Sequence, residues 1–292
     1  MNKIEVQGIE YTKPKVYMIQ EAGLGVSEIA GRVCYDSFHN SENPEIVKVG
    51  ELLEDSPDVF GDDINDWLCD SNNIDSSELL KSLSWVQFHH SVVEHTSLSY
   101  LIKGTSRGSL HETVRHRIAS YSVRSTRYTM SSIINAFVSS LKIEDINKRK
   151  DWFTERILQM DMFVTCELEY NKLEISGMFD KLTYQLKRIG YEEFINISIA
   201  KSSLSYITKD NSNEIFKLLE NGKKKRNIGD NFKNIVTDVW KVDMVVTFNL
   251  RSLKNFFDLR DSGSAYFQIK WLAQEMKKIT PQKYLELIVK KK

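Results

Sequence analysis

Thirteen residues near the middle of the chain, Arg115 to Arg127, hold four arginines, one histidine and three serines, and no acid. Such a density of cationic charge cannot enter an apolar core. A solvated helix face would normally interleave acids with its bases. Here Ser120, Tyr121, Ser122 and Tyr128 stand where those acids would be. Basic clusters are more often solvated surface than sites, but this interleaving favours a site. Forked guanidinium donors, hydroxyls and backbone N–H groups together suit an anion with several oxygens, most simply a phosphate.

The segments around this run read as core-forming elements. Leu98, Tyr100 and Ile102 alternate with Ser97, Ser99 and Lys103, the period-two pattern of a half-buried strand. Ile4–Val6 and the β-branched and aromatic stretch Val16–Ile19 after Pro14 read as strands, and so do residues 244–248. Ser27 is placed to N-cap a helix through Ile29, Ala30 and Val33. Helical spacing runs over Ser82–His90, with Leu83, Val86 and His90 on one face, and over Ser106–Arg117. A long helix is expected over 151–176, carrying Trp152, Phe153, Ile157, Met160, Phe163, Val164, Leu168 and Leu173. Asn249 opens a turn before a helix with Leu253, Phe256, Phe257 and Leu259. Residues 264–290 read as a helix that stops near Thr280-Pro281 and a short helix beyond it. Residues 40–80 read as loop and short helix, with ten acids and no Lys or Arg over 51–78. Within 177–231, helix-like stretches at Phe179–Ile189 and Glu192–Tyr206 precede an exposed connection at Lys223–Arg226.

Composition excludes several classes. Forty basic and forty acidic residues cancel, so no bulk attraction to nucleic acid is expected. Cys34, Cys69 and Cys166 form no CxxC pair and read as reduced thiols of a cytoplasmic protein. No apolar stretch suits a signal peptide or a membrane span. Five of the six histidines lie between His89 and His116, which raises the question of a metal. His111 and His116 are five apart, so a helix would turn the second ring roughly 140° from the first, and Arg115 and Arg117 would repel a dication. No metal site is expected.

Four segments, in order, resemble the flavin-dependent thymidylate synthases, also called thymidylate synthase complementing proteins. Arg115-His116-Arg117, seven residues and then Ser125, followed by Arg127-Tyr128, resembles that family's signature. Ala30–Tyr35 is similar to its early Ala-x-Arg-Val segment, and His90-Ser91-Val92-Val93-Glu94-His95 to its second segment. Asn249-Leu250-Arg251-Ser252-Leu253 through Asn255-Phe256 to Leu259-Arg260 resembles its C-terminal signature.

The resemblance implies an α/β (α+β) fold, with a central twisted, mainly antiparallel sheet flanked by long helices. It also implies a single domain over residues 1–292, with insertions at about 40–80 and 177–231. Implied with it are FAD, NADPH, methylenetetrahydrofolate as one-carbon donor, dUMP as substrate, and a homotetramer with shared sites. By the same resemblance, His95, Ser97, Arg115, His116, Arg117, Asn249, Arg251 and Asn255 would hold the flavin. Glu112, Arg124, Ser125, Thr126, Arg127 and Lys233 would meet the nucleotide. Arg260 would contact the pyrimidine and assist N3 ionisation.

The chain departs from the family pattern on the pyrimidine side. Glu112 replaces a usual Gln, Val123 a usual Glu, and Lys233 a phosphate-binding Arg; Asp261–Tyr266 also differs. Three readings stay open: reductive methylation of dUMP, a homologue acting on C5 of another pyrimidine nucleotide (UMP methylation or hydroxymethylation), and a silent flavin or nucleotide binder.

Overall fold

A computed structural model describes residues 3–55, 77–191, 193–194 and 232–290, apart from the side chains of 52–55 and 127–129. In chain order the strands and α-helices are β1 (Lys3–Val6), β2 (Ile9–Thr12), β3 (Lys15–Glu21), α1 (Gly25–Tyr35), α2 (Pro44–Asp55), α3 (Glu78–Trp85), β4 (Ser97–Ser106), α4 (Arg107–Thr113) and β5 (Ala119–Val123). There follow α5 (Thr126–Ser140), α6 (Ile146–Leu158), α7 (Leu168–Ile189), β6 (Lys241–Asn249), α8 (Leu250–Arg260), α9 (Phe267–Ile279) and α10 (Gln282–Ile288). The bulk of both expected insertions, Cys69, most of Glu192–Tyr206 and the Lys223–Arg226 connection lie outside the described residues.

The chain divides into two compact units. One comprises Pro14–Thr105, Ser109–Ser122 and Asp243–Lys292. Its sheet has the order β3-β4-β6-β5, with β3 antiparallel to β4 and an irregularity between Met18 and Gln20. The alternation seen in the sequence is the sheet's packed face: Leu98, Tyr100 and Ile102 on β4 and Met244, Val246 and Phe248 on β6 are buried. They share one core with Leu83 of α3, Leu253, Phe256 and Phe257 of α8, Leu272 and Met276 of α9, and Leu287 of α10. Tyr100 donates to Thr280 Oγ1 at 2.9 Å, and Tyr284 donates to the Ala22 carbonyl at 3.0 Å. Each buried ring thus keeps its hydroxyl paired. A buried Glu28–Arg32 pair at 3.0 Å also accepts Ser41 Oγ at 2.7 Å, fastening α1 to the chain that follows it.

The other unit comprises Met1–Lys13, Ser106–Gly108 and Val123–Val242. β1 and β2 form a hairpin whose turn, Gln7-Gly8, has positive φ at both residues. That geometry matches the right-handed twist of paired strands. Phe137 of α5, Phe153 of α6 and Phe179 of α7 meet edge to face or tilted at ring separations of 5.5 to 6.1 Å. Asp145 caps α6 by accepting from the amides of Asn147 and Lys148. No helix among the described residues is long and apolar enough to cross a membrane.

Several sequence expectations are corrected. Ser27 is no N-cap: α1 starts at Gly25, and Ser27 is buried inside it, 2.7 Å from Thr96 Oγ1. The helix expected over 82–90 covers 78–85, and Val86 is exposed beyond its end. Within 40–80, residues 44–55 form a 12-residue helix rather than loop with short helix. The helix expected to 117 stops at Thr113, and the basic run beyond it contains strand β5 and the start of α5. The long helix of 151–176 is two helices. Asp161 takes a left-handed φ of 47°, and residues 163–165 then run extended, bridging Trp240 and Tyr11. Phe163 and Val164 are buried by those bridges and not on a helix face, while Leu168 and Leu173 are exposed.

Candidate active site

The site begins where α4 ends. Tyr121 Oη lies 2.9 Å from the carbonyl of Thr113 and 2.8 Å from that of His116, so one phenol pins both ends of the turn. This bow leaves Arg115, Arg117 and Ile118 exposed and turns His116 inward, where it is 8% exposed. The imidazole meets Phe256 edge to face, 5.0 Å between centroids. Its Nε2 accepts from Arg260 Nε at 2.9 Å. An accepting nitrogen carries no proton, so the ring is neutral with hydrogen on Nδ1. Burial, then the Arg260 charge, pushes the His116 pKa down to about 4; Glu112 opposes this and Arg115 adds to it.

Arg260, the last residue of α8, is held on all three of its nitrogens. Besides the bond to His116, Nη1 donates to Glu112 Oε2 at 2.8 Å and Nη2 to the Glu112 main-chain carbonyl at 3.3 Å. The other Glu112 oxygen, Oε1, lies 3.5 Å from Arg115 Nη1. One carboxylate therefore serves two guanidinium groups.

Arg115, His116 and Arg260, though not Glu112 itself, border a cleft of about 560 Å³. Six residues expected from the sequence meet there: Arg115, His116, Arg117, Arg251, Asn255 and Arg260. Glu94, Ile118, Ser252 and Leu259 complete the lining. Arg251 is ion-paired with Glu94. Ile118 and Leu259 are 71% and 53% exposed, so the cleft offers bare apolar surface beside its cations. Leu259 shares α8 with buried Leu253, Phe256 and Phe257 but lies at the cleft and not in their core.

The remaining expected residues fall elsewhere. In the same unit, Asn249 is the N-cap of α8, its side chain accepting from Ser252 N at 2.8 Å. His95 is exposed, and half-buried Ser97 opens β4. Arg124, Ser125, Thr126 and Lys233 belong to the other unit. There Thr126 is buried at the start of α5, while exposed Lys233 opens a 3₁₀ turn, Lys233–Ile235. The side chain of Arg127 lies outside the described residues. Sequence reasoning gave no role to Tyr121 beyond membership of the run, nor to Ile118 and Leu259. Among the additional lining residues, Glu94 had a signal in its place in the His90–His95 segment, and Ser252 and Leu259 in theirs in the Asn249–Arg260 segment.

Comparison with known proteins agrees with this architecture. The family model for thymidylate synthase complementing protein matches residues 18–284. A flavin-dependent thymidylate synthase from Campylobacter jejuni is 29% identical over 196 residues, 67% of this chain and 71% of that one. Another from Wolinella succinogenes is 25% identical over 269 residues, 92% and 94% of the two chains. The crystal structure of Helicobacter pylori thymidylate synthase X with FAD and dUMP covers 94% of this chain and 97% of its own, with TM-score 0.54 at 22% identity. At that identity the likeness establishes a shared fold. With a match over nearly its whole length, the chain belongs to the thymidylate synthase complementing protein family.

Proposed function

We propose that this chain is a flavin-dependent thymidylate synthase that holds FAD and reductively methylates C5 of dUMP. The observation carrying this reading is the fixed guanidinium of Arg260 in a cleft bordered by three further arginines, an amide and bare apolar side chains. That donor set suits a flavin dinucleotide. Arg115, Arg117 and Arg251 offer charge to a diphosphate, Asn255 can both donate to and accept from a polar ring edge, and Ile118 and Leu259 offer apolar surface to a ring face. His95, Ser97 and the Asn249 amide would complete the flavin contacts.

When bound, FAD supplies the redox chemistry, with NADPH as electron source and methylenetetrahydrofolate as one-carbon donor. Arg260 would stabilise negative charge that builds on the uracil N3 or O2, and its fixed geometry lets it do so without rearrangement. Ser125, Arg127 and Lys233 would take the nucleotide phosphate, Lys233 as a point charge, and Arg124 and Thr126 would meet the same nucleotide. A protein thiol nucleophile is not required. Burial raises the Cys166 thiol, which is the opposite of activation. The protein would work in the cytoplasm as a homotetramer with sites shared between chains.

Tritium release from C5-labelled dUMP in the presence of FAD, methylenetetrahydrofolate and NADPH tests the reading. Release from dUMP, with a product heavier by one methyl, supports it. Release from UMP alone, or a hydroxymethyl product, would replace it with the related pyrimidine chemistry. Bound FAD without release from either nucleotide would leave a silent binder.

A further inference from the structure

We infer that Glu112 is a positioning residue: it locks Arg260 in one orientation and masks part of the cleft's positive charge. The inference rests on the proposal that the cleft takes FAD and dUMP. It deepens that proposal by assigning the control of anion affinity to one carboxylate.

The geometry is specific. A guanidinium has five N–H donors. Glu112 and His116 engage one on each of the three Arg260 nitrogens, at 2.8, 3.3 and 2.9 Å, which leaves two for a ligand. Three attachments to one short stretch of chain fix both the position and the plane of the group. The partners are unequal in exposure: the Arg260 side chain is 17% exposed, Glu112 31% and Arg115 70%. Solvent therefore screens the Glu112–Arg260 pair less than the longer Glu112–Arg115 pair. With Glu112 ionised, the trio carries one net positive charge; with a neutral residue there it carries two. Glu112 accordingly trades anion affinity for a defined Arg260.

Two variants separate the functions. Glu112→Gln keeps an oxygen that can accept from Arg260 Nη1 but removes the charge. Glu112→Ala removes both. The first readout needs no ligand: the Arg260 Nε–H resonance, protected by its bond to His116, should persist in the Gln variant and exchange rapidly in the Ala variant. The second is the FAD dissociation constant by flavin fluorescence, alongside KM and kcat for dUMP. Glu112→Gln should bind FAD or dUMP about threefold or more tightly at low salt, an advantage that shrinks as salt screens the cleft. Glu112→Ala should have a kcat about tenfold or more below that of Glu112→Gln, without a matching rise in KM, because an unaligned Arg260 fails chiefly in the transition state. A protected Nε–H in Glu112→Ala, or both variants equal to wild type in affinity and kcat, would overturn the inference. If the wild-type protein binds no FAD or dUMP but the Nε–H pattern holds, the proposed function fails and the positioning role stands. If wild type binds and turns over while the Nε–H ignores Glu112, the reverse holds.

Discussion

Lowering the pH from 7 to 5 should destabilise the unit that contains His116, and replacing His116 by Gln should remove most of that loss. Folding lowers the His116 pKa from 6.5 to about 4 because the ring is enclosed and accepts from Arg260. A histidine lowered in this way is neutral when folded and gains a proton more readily when unfolded. Its stabilising contribution is complete above the unfolded value and is lost as pH falls from 6.5 towards 4. With those two values, linkage gives a loss of about 2 kcal/mol at pH 5, rising to about 3 kcal/mol below pH 4. The His116→Gln amide can still accept from Arg260 but cannot be protonated, so its stability curve should lack this component.

Because the chain has two compact units, a single unfolding midpoint would mix them. Amide exchange at Tyr100, Leu101 and Ile102 of β4 reports opening of the relevant unit. Wild type should lose about 2 kcal/mol more protection than His116→Gln between pH 7 and pH 5. A ring-carbon titration gives a second reading: the His116 signal should stay in its neutral position through pH 5. A midpoint near 6.5, or identical pH slopes for the two proteins, would refute the neutral, accepting imidazole. The same values imply that any activity change between pH 6 and 8 comes from another group.

The other predictions concern single contacts. Asn249→Ala should cost about 1 kcal/mol by uncapping α8, while Asn249→Asp, which keeps the acceptor at a helix N-terminus, should cost less; denaturant titration reads both. Glu28→Ala should destabilise by about 3–5 kcal/mol, since it leaves Arg32 charged and buried, and thermal or denaturant unfolding would reveal the loss. Gly50→Ala places a new Cβ 2.3 Å from Phe38 Cβ and should lower stability by about 1–3 kcal/mol, seen as a lowered denaturation midpoint. Arg260→Lys, unable to reproduce three fixed nitrogens, should lower tritium release from dUMP on the order of a hundredfold with little change in fold by circular dichroism.

What the sequence revealed and what it hid have separate physical causes. Strands β4 and β6 were legible because burial of one face imposes period two, and a slip by one residue would turn every apolar side chain outward. The stop near Thr280-Pro281 was legible because proline cannot continue a helix. By contrast, nothing local ends α4 at Thr113: the residues that follow are compatible with helix, and the break is held by Tyr121, eight residues further on. The apparent helix of 151–176 failed for a related reason. Phe163 and Val164 keep helical spacing, yet their burial comes from extended pairing with distant strands and so carries no information about helix phase. Leu259 obeyed the periodicity of α8 and is nonetheless exposed, as a residue at the rim of a cleft must be. The site shows the same division. Arginines and an asparagine at signature spacing announced the cleft. The contact that gives Arg260 its orientation joins residues 148 apart, and nothing in the local sequence around Glu112 announces it. The charge that Glu112 shares between two arginines follows from three-dimensional proximity alone, and periodicity and spacing could not have shown it.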